Sequence, residues 1–144
     1  MSQWAIVTGA GTGIGKAVTK SLADHGVHVL AVGRRKEHLD AVASEAPNGL
    51  VKPLLGDIAQ IEVIERIAES IPVCDHICYL IQNAAVGVPA RLVDLKRDDF
   101  EYAMAVNVTA PLFLTQRLMT RLCASKGRIL HLGTGMIKSE SESN

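Results

Sequence analysis

Short apolar runs alternate with amphipathic segments along almost the whole chain, and this alternation limits the possible fold more than any other feature. Five runs are rich in Val, Ile and Leu, and they lie at residues 4–9, 27–33, 50–57, 76–84 and 128–133. Helical patterns separate them at about 14–25, 36–46, 59–70, 97–107 and 110–124. Nearly continuous apolar runs are typical of strands buried on both faces. The pattern therefore predicts a parallel sheet covered by helices on both faces, with right-handed crossovers.

Prolines and periodicity refine this prediction. The third run contains Pro53, which has no backbone N–H, so we expect that strand at an edge of the sheet. In segment 59–70, Ile61, Ile64 and Ile67 recur every three residues and predict the buried face of a helix. A chain of 144 residues with one such rhythm and no visible linker predicts a single domain.

Charge and hydropathy exclude several classes of function. Fifteen basic and fifteen acidic residues cancel, which disfavours a nucleic acid or an anionic membrane surface as partner. The N-terminal "MSQWAIVTGAG" lacks the positively charged start of a signal peptide, and its apolar run is too short to span a bilayer. We therefore expect a cytoplasmic protein without a membrane segment.

The chain contains three cysteines, Cys74, Cys78 and Cys123. Their odd number and their spacing match no zinc framework, and they favour a reduced intracellular protein over a disulfide scaffold. We expect buried core thiols at Cys74 and Cys78, and no metal site; a metal site is the alternative.

The first strand runs into a glycine-rich loop, "WAIVTGAGTGIG", and a helical pattern follows directly. Glycine lets the backbone turn tightly and approach a phosphate closely, and the N–H groups that open a helix attract anions. We interpret the loop as a phosphate-binding loop, with a glycine turn that binds no ligand as the alternative. Its spacing, Thr-Gly-x-x-x-Gly-x-Gly, resembles that of the short-chain dehydrogenase/reductase family. The loop residues expected at a dinucleotide are Gly9, Gly11, Thr12, Gly13, Ile14 and Gly15.

The resemblance extends to about residue 135 and implies a fold. That fold is a Rossmann-type, doubly wound α/β domain with three α/β/α layers and strand order 3-2-1-4-5. The implied NAD(P)-binding domain covers residues 1–135 and is incomplete relative to the family. Residues 136–144 alternate Ser with Glu and have no apolar period, so they are expected to form a disordered polar tail.

The end of the second strand predicts which dinucleotide is bound. A site that selects NAD usually carries Asp or Glu there to accept from the ribose hydroxyls, whereas Arg accommodates a 2′-phosphate. In this chain Gly33 occupies the acidic position, and Arg34 and Arg35 follow it. A guanidinium matches a phosphate in geometry and charge, so NADP(H) is favoured over NAD(H). The alternative is that both arginines only solvate the start of a helix.

Three further motifs carry the resemblance. "LLGDIA" contains Asp57 and Ile58, which the resemblance places beside the adenine ring. "IQNAAVG" is similar to the family's turn after the fourth strand, with Asn83 and Ala84 near the cofactor. "AMAVNVTAPLFLTQ" contains Asn107, which in the family opens a helix locally and helps to hold a water of the proton relay. A purely structural Asn107 is the alternative.

The catalytic pattern of the family is only partly present. Aligning "RILHLGTG" with the family's fifth strand puts Thr134 where the catalytic Ser is expected, with the hydroxyl kept and a methyl added. The family's Tyr-x-x-x-Lys pair should follow about a dozen residues later, and the chain ends before it. Neither tyrosine substitutes, since Tyr79 is followed four residues on by Asn83 and Tyr102 by Val106.

The resemblance to this family implies an NADP(H)-binding oxidoreductase that transfers hydride between nicotinamide and a small carbonyl or alcohol substrate, with the catalytic Tyr and Lys missing. The alternative is a truncated, inactive protein that binds a dinucleotide or pairs with a full-length subunit. A homo-oligomer is also compatible with the sequence. We expect the isolated chain to be of low or partner-dependent stability, because the fifth strand and the helix at 110–124 would expose apolar surface.

Overall fold

The computed structural model describes residues 1–134; the predicted tail at 136–144 and Gly135 lie outside the described residues. Within residues 1–134, five strands form one sheet. Their bounds are β1 Gln3–Thr8, β2 His28–Gly33, β3 Val51–Leu55, β4 His76–Gln82 and β5 Arg128–His131.

The strand order is β3-β2-β1-β4-β5, and all neighbouring strands are parallel. This order confirms the predicted doubly wound arrangement. Successive strands are added in one direction from β1 to β3 and in the other from β4 onward, so β1 and β4 flank the topological switch point of the sheet. The carboxyl ends of these two strands therefore border the crevice where ligands bind in open α/β sheets.

Five α-helices of the described part of the chain cover the sheet. Their bounds are α1 Gly13–Asp24, α2 Lys36–Glu45, α3 Ile61–Ser70, α4 Arg97–Met104 and α5 Ala110–Ala124. Apolar side chains of α1 and α2 pack against one face, where they meet inward residues of β1 and β2 such as Val7 and Val29. Side chains of α3 and α5 pack against the opposite face around Ile6 and Leu30. The predicted three layers are confirmed.

The helical region between residues 97 and 124 differs from the prediction of two separate helices. Helix α4 continues through a π-helical turn, Ala105–Thr109, directly into α5. A π turn adds one residue to the helical repeat and is frequent at functional sites. Asn107 lies at the centre of this turn, where the resemblance implied a local opening of the helix.

The two edge strands are less buried than the three central ones, in agreement with the edge predicted at Pro53 and the exposure predicted for the fifth strand. In β3 only Val51 and Leu54 are buried, while Pro53 is exposed as an edge strand allows. All four residues of β5 are exposed, because within residues 1–134 this strand pairs only with β4. The predicted exposure of apolar side chains on α5 is present at Leu112 and Phe113.

Two side-chain predictions were wrong. Cys74 is exposed and precedes β4, and Cys78 is only partly buried, so these cysteines are not core thiols. Ile61 is exposed because it is the first residue of α3, and Val63 takes its place on the buried face.

Candidate functional site

The loop between β1 and α1 has a backbone path that requires glycine. Gly9 has φ +65°, a conformation that residues with a Cβ rarely adopt. A Cβ on Gly15 would overlap the carbonyl oxygen of Gly9. The loop therefore folds back so closely on the first turn of α1 that alanine cannot be accommodated at position 15 without movement.

Asn83, directly after β4, fixes this loop from the neighbouring strand. Its Nδ2 donates to the carbonyl oxygens of Thr8 and Gly9 at 3.2 and 3.1 Å. In return, the Thr8 hydroxyl oxygen accepts the backbone N–H groups of Asn83 and Ala84 at 3.1 and 3.0 Å. The carboxyl ends of β1 and β4 are thus joined by four hydrogen bonds at the crevice.

Helix α1 begins beside the loop with its amino end open. Thr12 precedes the helix with extended backbone angles, and its side chain makes no capping hydrogen bond within the described part of the chain. The first turn of α1 carries no acidic residue. The first N–H groups of a helix have no partner inside it, and they carry a partial positive charge that favours an anion. This end of the helix is chemically suited to a phosphate group.

A cleft of ≈ 330 Å³ lies along the carboxyl edge of β1, β2 and β4. Ten of the twelve residues predicted to bind a cofactor line it. They are Gly9, Gly11, Thr12, Ile14, Arg34, Arg35, Asp57, Ile58, Asn83 and Ala84. The other two, Gly13 and Gly15, lie in the loop and first turn of α1 without lining the cleft.

Tyr102 connects the charged side chains of Arg34 and Asp57 across one end of the cleft. Its hydroxyl accepts a hydrogen bond from Nη1 of Arg34 at 2.9 Å and donates to Oδ2 of Asp57 at 2.6 Å. The hydrogen bond to Asp57 raises the pKa of Tyr102 above its ordinary value, so the phenol stays protonated at neutral pH. Within residues 1–134, Arg34 and Asp57 take part in no ion pair.

The two residues predicted to be catalytic do not line the cleft. Asn107 lies behind the cleft and is hydrogen-bonded to Val86. Its Oδ1 accepts the N–H of Val86 at 2.9 Å, and its Nδ2 donates to the Val86 carbonyl at 2.8 Å. Val86 itself lines the cleft, so Asn107 fixes the segment that follows β4. Thr134 is exposed beyond the carboxyl end of β5.

The sequence did not identify Tyr102 as a residue of the cofactor cleft, and Tyr102 was considered only as a possible catalytic acid. A signal was present in the helical period, because Tyr102 lies four residues before Val106 and therefore on the same face of the helix. Val106 is buried and lines the cleft. His38 lines the cleft as well and was not selected.

Among residues 1–134, no three or more His, Cys, Asp and Glu side chains are grouped so that they could hold a metal ion. No helix in that range has the length and apolar content needed to cross a bilayer.

Comparison with known proteins gives consistent matches. A family model described as short chain dehydrogenase matches residues 3–141. Glucose 1-dehydrogenase of Gluconobacter oxydans (strain 621H) is 39% identical over 108 residues, which are 72% of this chain and 41% of that protein. The human 17-beta-hydroxysteroid dehydrogenase type 3 is 30% identical over 143 residues, which are 94% of this chain and 46% of that protein.

Solved structures match the fold closely. A metagenomic short-chain oxidoreductase in complex with NADP is 30% identical and superposes with a TM-score of 0.84. The match covers 92% of this chain and 62% of that one. The chain spans about half the length of the curated relatives it matches.

Proposed function

Because the chain belongs to the short-chain dehydrogenase family, we propose that its cleft binds NADP(H) for hydride transfer between nicotinamide and a small carbonyl or alcohol compound. The observation that carries this proposal is the single cleft edge shared by the glycine loop, the open end of α1 and two arginines. A bound dinucleotide needs a close backbone approach at its pyrophosphate and polar groups at its ribose. Both are available along this edge.

The close packing of the loop supports binding of the pyrophosphate. Gly9 and Gly15 leave no room for side chains between the loop and α1, so backbone N–H groups can approach phosphate oxygens. Gly11, Thr12 and Ile14 line the cleft at this point and would contact the pyrophosphate. Asn83 and Ala84 would border the nicotinamide half, since they follow β4 at the switch point of the sheet.

The charge at the end of β2 supports NADP(H) rather than NAD(H). Gly33 offers no carboxylate to the ribose hydroxyls, whereas Arg34 and Arg35 line the cleft immediately after it. The solved metagenomic relative at 30% identity is itself a complex with NADP. Asp57 and Ile58 would border the adenine ring, with Ile58 supplying an apolar contact and Asp57 accepting hydrogen bonds.

The bound cofactor would supply or accept the hydride, which is its own chemistry. This chain would contribute orientation: Asn107 holds the segment at Val86 in place through two hydrogen bonds. Asn107 would also help to hold a water molecule that takes part in the proton relay. At the carboxyl end of β5, the Thr134 hydroxyl would donate a hydrogen bond to the carbonyl oxygen of the substrate and hold it in place.

A second candidate function is dinucleotide binding without turnover by these 144 residues alone. It is favoured by the two tyrosines, because neither Tyr79 nor Tyr102 has a lysine four residues later. Tyr102 is also unsuited to be a general acid near neutral pH, because its pKa is raised. The exposed apolar residues Leu112, Phe113 and Met119 on α5 support pairing with a second subunit.

Calorimetric titration of NADPH and NADH tests the cofactor proposal. We expect tighter binding of NADPH, and we expect Arg34→Ala to raise its Kd about 10- to 100-fold because charge-assisted hydrogen bonds contribute about 1.5–3 kcal/mol. NADH binding should change little. Arg91→Ala, which removes an exposed guanidinium paired with Asp94, is the matched control. Equal affinity for both cofactors would contradict the NADP(H) assignment.

A turnover assay separates the two candidate functions. Residues 1–144 are incubated with NADPH and a panel of aldehydes and ketones, and NADPH oxidation is followed at 340 nm. Binding without oxidation supports the second candidate, and sustained oxidation supports the first. Light scattering after size-exclusion chromatography on the same sample reports whether the chain pairs.

A further inference from the structure

The bridge between Arg34 and Asp57 leads to a role for Tyr102, and this inference rests on the proposed function. We propose that Tyr102 is a specificity-determining positioning residue, which holds the Arg34 guanidinium toward the cleft for the 2′-phosphate of NADP(H). It would act through Arg34, and contact between its own hydroxyl and the cofactor is not required.

Arg34 needs such a partner because of its position. It is exposed and lies between the end of β2 and the start of α2, so burial does not fix its side chain. An arginine has many rotamers, and ordering them on binding costs free energy that a pre-ordered side chain does not lose. The 2.9 Å hydrogen bond from Nη1 to Tyr102 restricts these rotamers before any ligand arrives. A guanidinium has five N–H donors, so the others stay available for a phosphate.

The same bridge limits competition from Asp57. A carboxylate that faced the guanidinium directly would compete with the 2′-phosphate for its donors. In this structure the Oδ1 atom of Asp57 accepts the N–H of Ala59 at 2.9 Å, and its Oδ2 atom accepts the Tyr102 hydroxyl at 2.6 Å. Each carboxylate oxygen therefore already has a donor, and the phenol stands between the two charges.

The helix holds the phenol in place. The ring of Tyr102 is partly buried and packs against the core that α3 and α5 form on their face of the sheet. Val106, one helical turn later, is 3% exposed and anchors the same face. The packed helix fixes the phenol, and the phenol can therefore fix the exposed arginine, whose own side chain is not held by burial.

Tyr102→Phe removes the hydroxyl and keeps the ring. Tyr79→Phe is the matched control, since Tyr79 lies in β4 and has no side-chain hydrogen bond within residues 1–134. Kd values for NADPH and NADH are measured by calorimetry for the wild type and both variants. We expect Tyr102→Phe to raise the NADPH Kd about tenfold, with NADH within about twofold, and Tyr79→Phe to change neither. A partly unfolded population would weaken both cofactors by one factor, so the ratio of the two Kd values stays informative.

A double-mutant cycle tests whether Tyr102 acts through Arg34. In the Arg34→Ala background, removing the hydroxyl should produce no further loss of NADPH affinity, because the side chain it positions is gone. An additional loss of similar size in that background would overturn the positioning role. So would an unchanged NADPH to NADH ratio in Tyr102→Phe alone.

The outcomes distinguish this inference from the function on which it rests. If the wild type prefers NADPH and Tyr102→Phe keeps the full preference, the role of Tyr102 is wrong and the proposed function stands. If the wild type shows no preference, the NADP(H) assignment fails, and the role of Tyr102 fails with it.

Discussion

Thr8 and Asn83 bind each other through both their side chains and their backbones, although they are 75 residues apart in the chain. The Thr8 hydroxyl oxygen accepts the Asn83 N–H at 3.1 Å, and the Asn83 amide donates to the Thr8 carbonyl at 3.2 Å. Thr8 is only 3% exposed, so its hydroxyl is shielded from water and these bonds are not easily replaced. The switch point of the sheet is therefore fixed before any cofactor binds.

Thr8→Val should destabilise the protein, because two backbone N–H groups, those of Asn83 and Ala84, would lose their acceptor. We expect a decrease of about 1–3 kcal/mol in the free energy of unfolding, measured by urea denaturation. Thr8→Ser keeps the hydroxyl and is the control. A Thr8→Val variant as stable as the wild type would show that water replaces the hydroxyl.

Gly15→Ala should weaken both the fold and NADPH binding. The added methyl group would overlap the Gly9 carbonyl oxygen and push the loop away from α1. We expect a net decrease of about 1–3 kcal/mol in the free energy of unfolding. The steric overlap should outweigh the roughly 1 kcal/mol by which alanine stabilises a helix relative to glycine. Gly87→Ala is the control, since its methyl group would meet no described atom within 4 Å. Thermal melts and NADPH titrations of both variants check the prediction, and equal melting temperatures would refute it.

Gln82 should contribute to stability because it is 6% exposed and fully engaged. Its Nε2 donates to the Pro111 carbonyl at 2.9 Å and to the Thr115 hydroxyl at 2.7 Å, and its Oε1 accepts from His131 at 3.0 Å. We expect Gln82→Leu to lower the free energy of unfolding by about 1–3 kcal/mol, as measured in urea. Gln116→Leu, at an exposed position on α5, should change it much less.

Asp75 should make the stability depend on acid pH. Hydrogen bonds from the Ser2 N–H and the Trp4 indole N–H hold the pKa of this carboxyl below its ordinary value. A carboxyl with a lowered folded-state pKa stabilises the fold above the unfolded value, roughly 3.9, and loses that contribution as pH falls through the folded value. The difference in urea midpoint between wild type and Asp75→Asn should therefore be present near neutral pH and shrink on acidification. Trp4 is the single tryptophan, so its emission reports unfolding. A difference that stays constant with pH would contradict this, and Asp24→Asn is the control.

Much of the architecture could be predicted because it depends on local sequence signals. The apolar runs identified all five strands, and the glycine spacing identified the loop at Gly9 to Gly15. What the sequence could not predict depends on tertiary contacts. Ile61 fits the helical period but is exposed, because the start of the helix has no neighbour there.

The candidate site shows the same division. Arg34 and Asp57 could be selected from their positions after strands, since the carboxyl ends of parallel strands meet at one edge. Their connection through Tyr102 could not, because it joins residues that are 68 and 45 positions apart. The continuous helix across Ala105–Thr109 was also missed, since a π turn has no distinct periodicity in a short sequence.

A crystal structure of residues 1–144 soaked or co-crystallised with NADPH tests the central claim most directly. The account predicts that the pyrophosphate contacts backbone N–H groups of the loop from Gly11 to Gly15. It also predicts that the 2′-phosphate lies within hydrogen-bond distance of the Arg34 guanidinium. Density for the dinucleotide at another surface, or a 2′-phosphate pointing away from Arg34 into solvent, would contradict it.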